Sequence, residues 1–135
     1  MTWLLDTNAC VCHLRGGSSS RVAKRLGEKR SDEVALCSVV RAELIFGALR
    51  SRDSTANLAK VARFLSQFVS HPFDDLAADA YGKIRAALSD QGMPIGPNDL
   101  LIAAIAQSRG LTLVTHNVAE FSRVPGLPIE DWEAE

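Results

Sequence analysis

Short uninterrupted apolar runs take turns along the chain with longer stretches in which apolar residues recur every three to four positions. Trp3-Leu4-Leu5 predicts a short buried strand ending at Asp6, and Asp6-Thr7-Asn8 is rich in residues that cap a following helix. Val34-Ala35-Leu36-Cys37 repeats the arrangement, with Ser38 expected as N-cap of a helix carrying Val39, Val40, Leu44, Ile45 and Leu49 on its apolar positions. A further amphipathic helix is predicted from Ser54 to Val69, ended by Ser70-His71-Pro72. After a short strand that includes Phe73, another helix runs from Leu76 to Leu88 and is closed by Gly92 and Pro94. Pro97 suits the first position of a helix whose segment Leu100 to Ala106 is apolar nearly all round, as a helix packed on a sheet would be. Leu111-Thr112-Leu113-Val114 is the clearest strand, Asn117 begins a helical turn, and Leu127-Pro128-Ile129 predicts an edge strand. This alternation predicts an α/β fold with a central parallel sheet of four or five short strands flanked by helices.

The 135 residues suit one domain, 1–135, because no linker-like or low-complexity stretch divides them. The longest apolar run, Leu100 to Ala106, is far below the roughly 20 residues of a membrane-spanning helix. The start of the chain has no basic leader and reaches an acid at Asp6, unlike a signal peptide, so a cytoplasmic location and no membrane partner are expected. Cys10, Cys12 and Cys37 are odd in number and sit among apolar residues, which predicts reduced thiols. A zinc site built from Cys10, Cys12, His13 and Cys37 is disfavoured, since positions two apart on a helix face different ways.

A net charge of −1 excludes nucleic-acid binding by overall positive charge, so local clusters must do that work. Arg15, Arg21, Lys24, Arg25, Lys29 and Arg30 surround the loop-like Gly16-Gly17-Ser18-Ser19-Ser20. They form either a phosphate-contacting surface or the solvated face of a helix with Val22, Ala23 and Leu26 inward.

In parallel α/β sheets the functional crevice lies beyond the carboxyl ends of the strands, and Asp6, Asn117 and Glu120 all follow predicted strands closely. Glu43 and Asp99 join them if the helices starting near Ser38 and Pro97 begin at that same end. Two ionised carboxylates about 4 Å apart repel by roughly 4 kcal/mol at an effective dielectric of 20, so such a cluster needs a cation or takes up protons. Hard oxygen ligands select Mg²⁺ or Mn²⁺, and such an ion suits phosphodiester hydrolysis. Each acid also has a structural explanation: Asp6 as a cap, Asp99 at a helix N-terminus, Glu43 facing solvent, and Asn117 with Glu120 as a capping box.

The chain resembles PIN-domain ribonucleases, especially the VapC-type toxins of bacterial toxin–antitoxin systems. The resemblance spans nearly the whole sequence. It is carried by Leu5-Asp6-Thr7-Asn8, by Arg41-Ala42-Glu43-Leu44 with Gly47, by Gly96-Pro97-Asn98-Asp99-Leu100-Leu101-Ile102-Ala103-Ala104, and by Val114-Thr115-His116-Asn117 with Glu120-Phe121. It implies a metal-dependent endoribonuclease whose metal-coordinating acids fall on Asp6 and Asp99, with Glu43 completing the set directly or through water. Many members have an aspartate where this chain has Asn117, so Asn117 or Glu120 fills the fourth position. Thr7, Ser38 and Thr115 lie beside the acids and can hydrogen-bond ligand oxygens. The resemblance gives His116 no catalytic role, and it reads as a surface or substrate-side histidine. It further implies a cognate VapB-type antitoxin, toxin homodimers, toxin–antitoxin hetero-oligomers and a structured RNA substrate, with transfer RNA the first guess.

Two other functions compete with this one. A catalytically silent module of the same fold is disfavoured by the intact acidic trio. A phosphatase or phospho-acceptor domain could also use Asp6, but position 8 is Asn and the expected DxD pair is missing. The apolar residues Ile45, Phe46, Phe64 and Phe68 are assigned to an ordinary core, with a partner surface as the alternative.

Overall fold

The structure is a computed structural model that describes residues 2–134; the expected domain span of 1–135 extends beyond it at each end. Five parallel strands form one sheet in the order β3-β2-β1-β4-β5. They are β1 (Trp3–Leu5), β2 (Val34–Cys37), β3 (Val69–His71), β4 (Thr112–Val114) and β5 (Ile129–Glu130). Helices occupy the connections: α1 (Thr7–Gly16), α2 (Arg21–Gly27), α3 (Ser38–Leu49), α4 (Ser54–Leu65), α5 (Asp75–Asp90), α6 (Pro97–Ser108) and α7 (Val118–Phe121). The parallel α/β expectation therefore holds.

Burial explains why the strands read so clearly. Leu4, Leu5, Leu36 and Leu113 are fully enclosed, as a parallel sheet covered by helices requires. Helix α6 is buried from Ile102 through Ala106, which accounts for its all-round apolar character. At the sheet edge, β5 begins one residue after Pro128, where the missing proline N–H costs no ladder bond.

Several boundaries differ from the sequence reading. Ser38 is the first residue of α3, while Cys37 holds the N-cap position without a side-chain bond, because the extended strand runs directly into the helix. The strand expected around Phe73 is β3 at Val69–His71, so α4 ends at Leu65. Residues 17–19 form a 3₁₀ turn, and Gly17 takes the positive φ of 57° that favours glycine.

The chain lays β2 and β3 to one side of β1 and then returns to place β4 and β5 on the other. The order reverses between β1 and β4, and connections diverge there, opening a crevice at the strands' carboxyl ends. Asp6 and Thr115 are the residues that follow these two central strands.

Candidate active site

Asp6 is held at the switch point by its backbone. Its N–H donates to the Val114 carbonyl at 3.0 Å, extending the ladder one residue past β1. Its Oδ1 accepts the Ala9 N–H at 2.8 Å, so the same carboxylate caps α1. The side chain is 3% exposed. Burial raises its pKa, with hydrogen bonds from the Thr115 hydroxyl and Ala9 N–H opposing, and with the charges of Glu133 and Glu43 adding to the rise. The capping explanation therefore holds, and the carboxylate is more enclosed than a cap on an exposed helix needs to be.

Glu43 comes from the second turn of α3 and reaches the start of α1, where Thr7 Oγ1 donates to Glu43 Oε1 at 2.6 Å. That short bond shows that the starts of α1 and α3 lie at one end of the sheet. Asp99 stands third in α6, where the helix dipole favours negative charge. Its carboxyl is nevertheless pushed up to about 7, by burial first, then by the hydrogen bond and charge of Glu120, then by the charges of Asp6 and Glu43. Burial and like charge together outweigh the dipole. Asp99 thus feels the carboxyls of Glu120, Asp6 and Glu43, the convergence that depended on where the helices begin.

Glu120 and Asn117 are arranged differently from a capping box. Glu120 Oε1 accepts the Gly96 N–H at 2.9 Å and Oε2 accepts the Asn117 side-chain amide at 3.2 Å. The Asn117 backbone N–H goes to Thr115 Oγ1 at 3.0 Å, and its side chain makes no cap bond to α7. The Gly96 bond is the main cause that lowers the Glu120 pKa, while that of the neighbouring Asp99 is raised, so Asp99 is the more readily protonated of the two. A Cβ at Gly96 would lie 3.6 Å from both Asp99 Oδ2 and Glu120 Oε1, an ordinary contact distance that places this backbone between the two acids.

Thr115 is fully buried and connects the two halves of this site, bonding Asp6 and receiving Asn117. Exposed Ser38 lines an open groove of about 650 Å³ with Thr7, Glu43, Phe46, Asn98 and Leu101. His116 is exposed and its Nδ1 lies 3.0 Å from Asp131 Oδ2, which agrees with a surface position. Four members of the early basic cluster are engaged within the chain. Arg21 donates to the Glu133 carbonyl, Arg25 lies near Glu130, Lys29 stacks 4.3 Å above Trp3, and Arg30 pairs with Asp32. These contacts support the solvated-helix reading of that segment over a dedicated phosphate surface.

The PIN domain profile matches residues 3–127. The chain is 39% identical over 132 residues to the tRNA(fMet)-specific endonuclease VapC of Salmonella typhimurium, with 98% of each chain covered. The chain belongs to the VapC ribonucleases of the PIN-domain family. Ribonuclease VapC2 of Rickettsia felis is 36% identical, with 98% of this chain and 99% of that protein covered. The fold agrees closely with the crystal structure of DNA-bound VapBC from Salmonella typhimurium, at a TM-score of 0.92, 39% identity and 98% coverage of both chains. VapBC2 of Rickettsia felis bound to a promoter DNA fragment gives a TM-score of 0.91 at 35% identity, with 98% of this chain and 99% of that chain covered.

For this VapC-family chain, sequence reasoning missed the backbone N–H of Gly96 as the group that sets Glu120. No local pattern marked it, because a main-chain N–H is offered by every residue except proline and its partner lies 24 positions away. It also missed Glu133, whose charge acts on Asp6 from the far end of the chain and leaves no local pattern.

Proposed function

We propose that this protein is a single-domain (1–135), cytoplasmic, metal-dependent endoribonuclease and the toxin of a toxin–antitoxin pair. The observation that carries the reading is the convergence of Asp6, Glu43, Asp99 and Glu120 at the sheet's switch point, expressed in an Asp99 carboxyl raised to about 7. Hard carboxylate oxygens gathered so closely that burial and like charge raise one of them toward neutrality fit Mg²⁺ or Mn²⁺. Asp6, Asp99 and Glu43 would hold the ion. When bound, it supplies Lewis-acid stabilisation to a phosphoryl group under attack by water.

The chain's own residues do the positioning. Thr7 holds Glu43 through the 2.6 Å bond, and Thr115 with the Ala9 N–H fixes the Asp6 carboxylate. Gly96 and Asn117 fix Glu120, which stays charged beside Asp99 and orients water or takes its proton. Arg15 and Lys60 border a second groove that reaches Glu43, where a phosphate backbone can approach the acids.

The substrate is a structured RNA, and the tRNA(fMet) specificity in the names of the Salmonella typhimurium and Shigella flexneri relatives makes initiator transfer RNA the first candidate. A VapB-type antitoxin is the expected partner, together with homodimers and toxin–antitoxin hetero-oligomers, in keeping with the VapBC complexes formed by the structural relatives. Phe46 and Leu49, 66% and 57% exposed, offer apolar surface for such assembly, whereas Phe64 is buried and belongs to the core.

The test incubates purified chain with transfer RNA after chelation and then restores Mg²⁺, Mn²⁺ or Ca²⁺ in turn. Cleavage should return with Mg²⁺ or Mn²⁺ and hardly at all with Ca²⁺, whose coordination is looser. Full cleavage in excess chelator would overturn the reading.

A further inference from the structure

Beside the acid cluster lies a second group of ligating side chains with different chemistry. His116 follows β4 by two residues, and Asp131 and Glu133 lie in the segment after β5. One donor atom from each falls within 4.8 Å of the other two. His116 Nδ1 and Asp131 Oδ2 are 3.0 Å apart, a separation that lets both atoms reach one ion at the usual distance of about 2.1 Å.

Backbone contacts hold the group in place. Asp131 Oδ1 accepts the Glu133 N–H at 2.9 Å, and the Glu133 carbonyl accepts from Arg21 at 3.0 Å. Asp131 is largely enclosed, with its side chain 19% exposed, while His116 stands open to solvent at 63%. The group thus combines an exposed imidazole with two partly buried acidic residues.

We propose that His116, Asp131 and Glu133 form a separate binding site for a first-row transition ion of the zinc class, distinct from the Asp6–Glu43–Asp99 cluster. An imidazole with two carboxylates matches the donors that zinc accepts, whereas Mg²⁺ prefers oxygen and keeps its waters. An ion bound there joins the end of β4 to the segment after β5. It also balances the Glu133 charge that acts on Asp6, so occupancy couples to the acid cluster without sharing a ligand with it. The ion would sit there whether or not the acid cluster cleaves RNA.

The test uses chelator-treated full-length protein, with Zn²⁺ alone as the probe, and reads melting temperature and calorimetric stoichiometry. Zinc should raise the melting temperature of the parent and of Asp99→Asn alike. His116→Ala and Glu133→Gln should weaken zinc binding at least about tenfold and remove that rise. Mg²⁺ should give no shift that depends on His116. Cys12→Ser is the control, because the Cys12 thiol bonds to Glu133 and could capture zinc by itself. A zinc shift kept in His116→Ala but lost in Cys12→Ser or Asp99→Asn would overturn the proposal. So would a parent that shows no zinc shift, which would leave His116 and Asp131 as an exposed ion pair.

Discussion

Two clusters of charged and polar groups in this protein are built on opposite terms. At one corner, Glu130 Oε2 accepts the Trp3 indole N–H at 3.0 Å and Glu130 Oε1 accepts that of Trp132 at 3.1 Å, with Arg25 nearby. Lys29 lies over the Trp3 ring, and burial of Glu130 is outweighed by these partners, so its pKa falls. At the switch point, Glu120 is equally well bonded, yet the adjacent Asp99 is raised to about 7, by burial first and then by the hydrogen bond and like charge of its neighbours. The first cluster is complete within the folded chain. The second leaves Asp99 with a raised affinity for a proton, and that difference marks it as the candidate site.

The largest expected effect comes from the charges that the second cluster holds together. Asp6→Asn or Asp99→Asn should lower RNA cleavage by at least roughly a hundredfold, since each removes a ligand charge with little change in size. In chelator the same variants should melt no lower than the parent, because repulsion is relieved. Gel assays and thermal melts on the same preparations check both halves, and parental cleavage by either variant would remove that residue from the site.

Breaking the first cluster should show the reverse. Trp132 is 1% exposed, so Trp132→Ala should cost about 3–5 kcal/mol of stability, read from urea unfolding. At temperatures where the variant remains folded, Asp99 should still titrate near neutrality.

A smaller effect sharpens the role of Glu120. Glu120→Gln keeps an oxygen for the Gly96 N–H but loses the charge, so Asp99 should titrate lower and turnover should fall roughly tenfold or more. Asn117→Asp should keep activity or tighten Mn²⁺ binding by adding the acid common at that position. Glu120→Gln with parental kinetics and an unmoved Asp99 titration would reduce Glu120 to a structural bond.

The mildest test is pH. Asp99 has a folded-state pKa of about 7 against 3.8 for an unperturbed aspartate, so the folded chain holds more protons than the unfolded chain between these values. Its contribution to stability is therefore full below about pH 4 and is lost as pH rises toward about 7. In chelator the melting temperature should follow that fall, and Asp99→Asn should flatten it. A parent and variant with the same pH profile would place the proton elsewhere.

Much of this site was legible before the fold was known, for reasons that differ by residue. Asp6 stands at the end of an apolar run and Asp99 just after a helix-starting proline, so local pattern alone puts each at the tip of an element. Glu43 needed the resemblance, because a glutamate on an amphipathic helix is usually a solvent-facing residue. Asn117 and Glu120 satisfied a capping-box spacing in sequence but not in space. Thr115 took the Asn117 N–H, and the loop before α6 took the Glu120 carboxylate.

The sequence by itself determined which segments become strands and helices and which acids stand at their ends, because those depend on periodicity and turn chemistry among near neighbours. The tertiary structure decided that β1 and β4 lie side by side, that Gly96 meets Glu120 across 24 positions, and that Glu133 acts on Asp6 from the other end of the chain. Strand order and the approach of distant side chains follow from how whole elements pack against one another, and no local spacing records that.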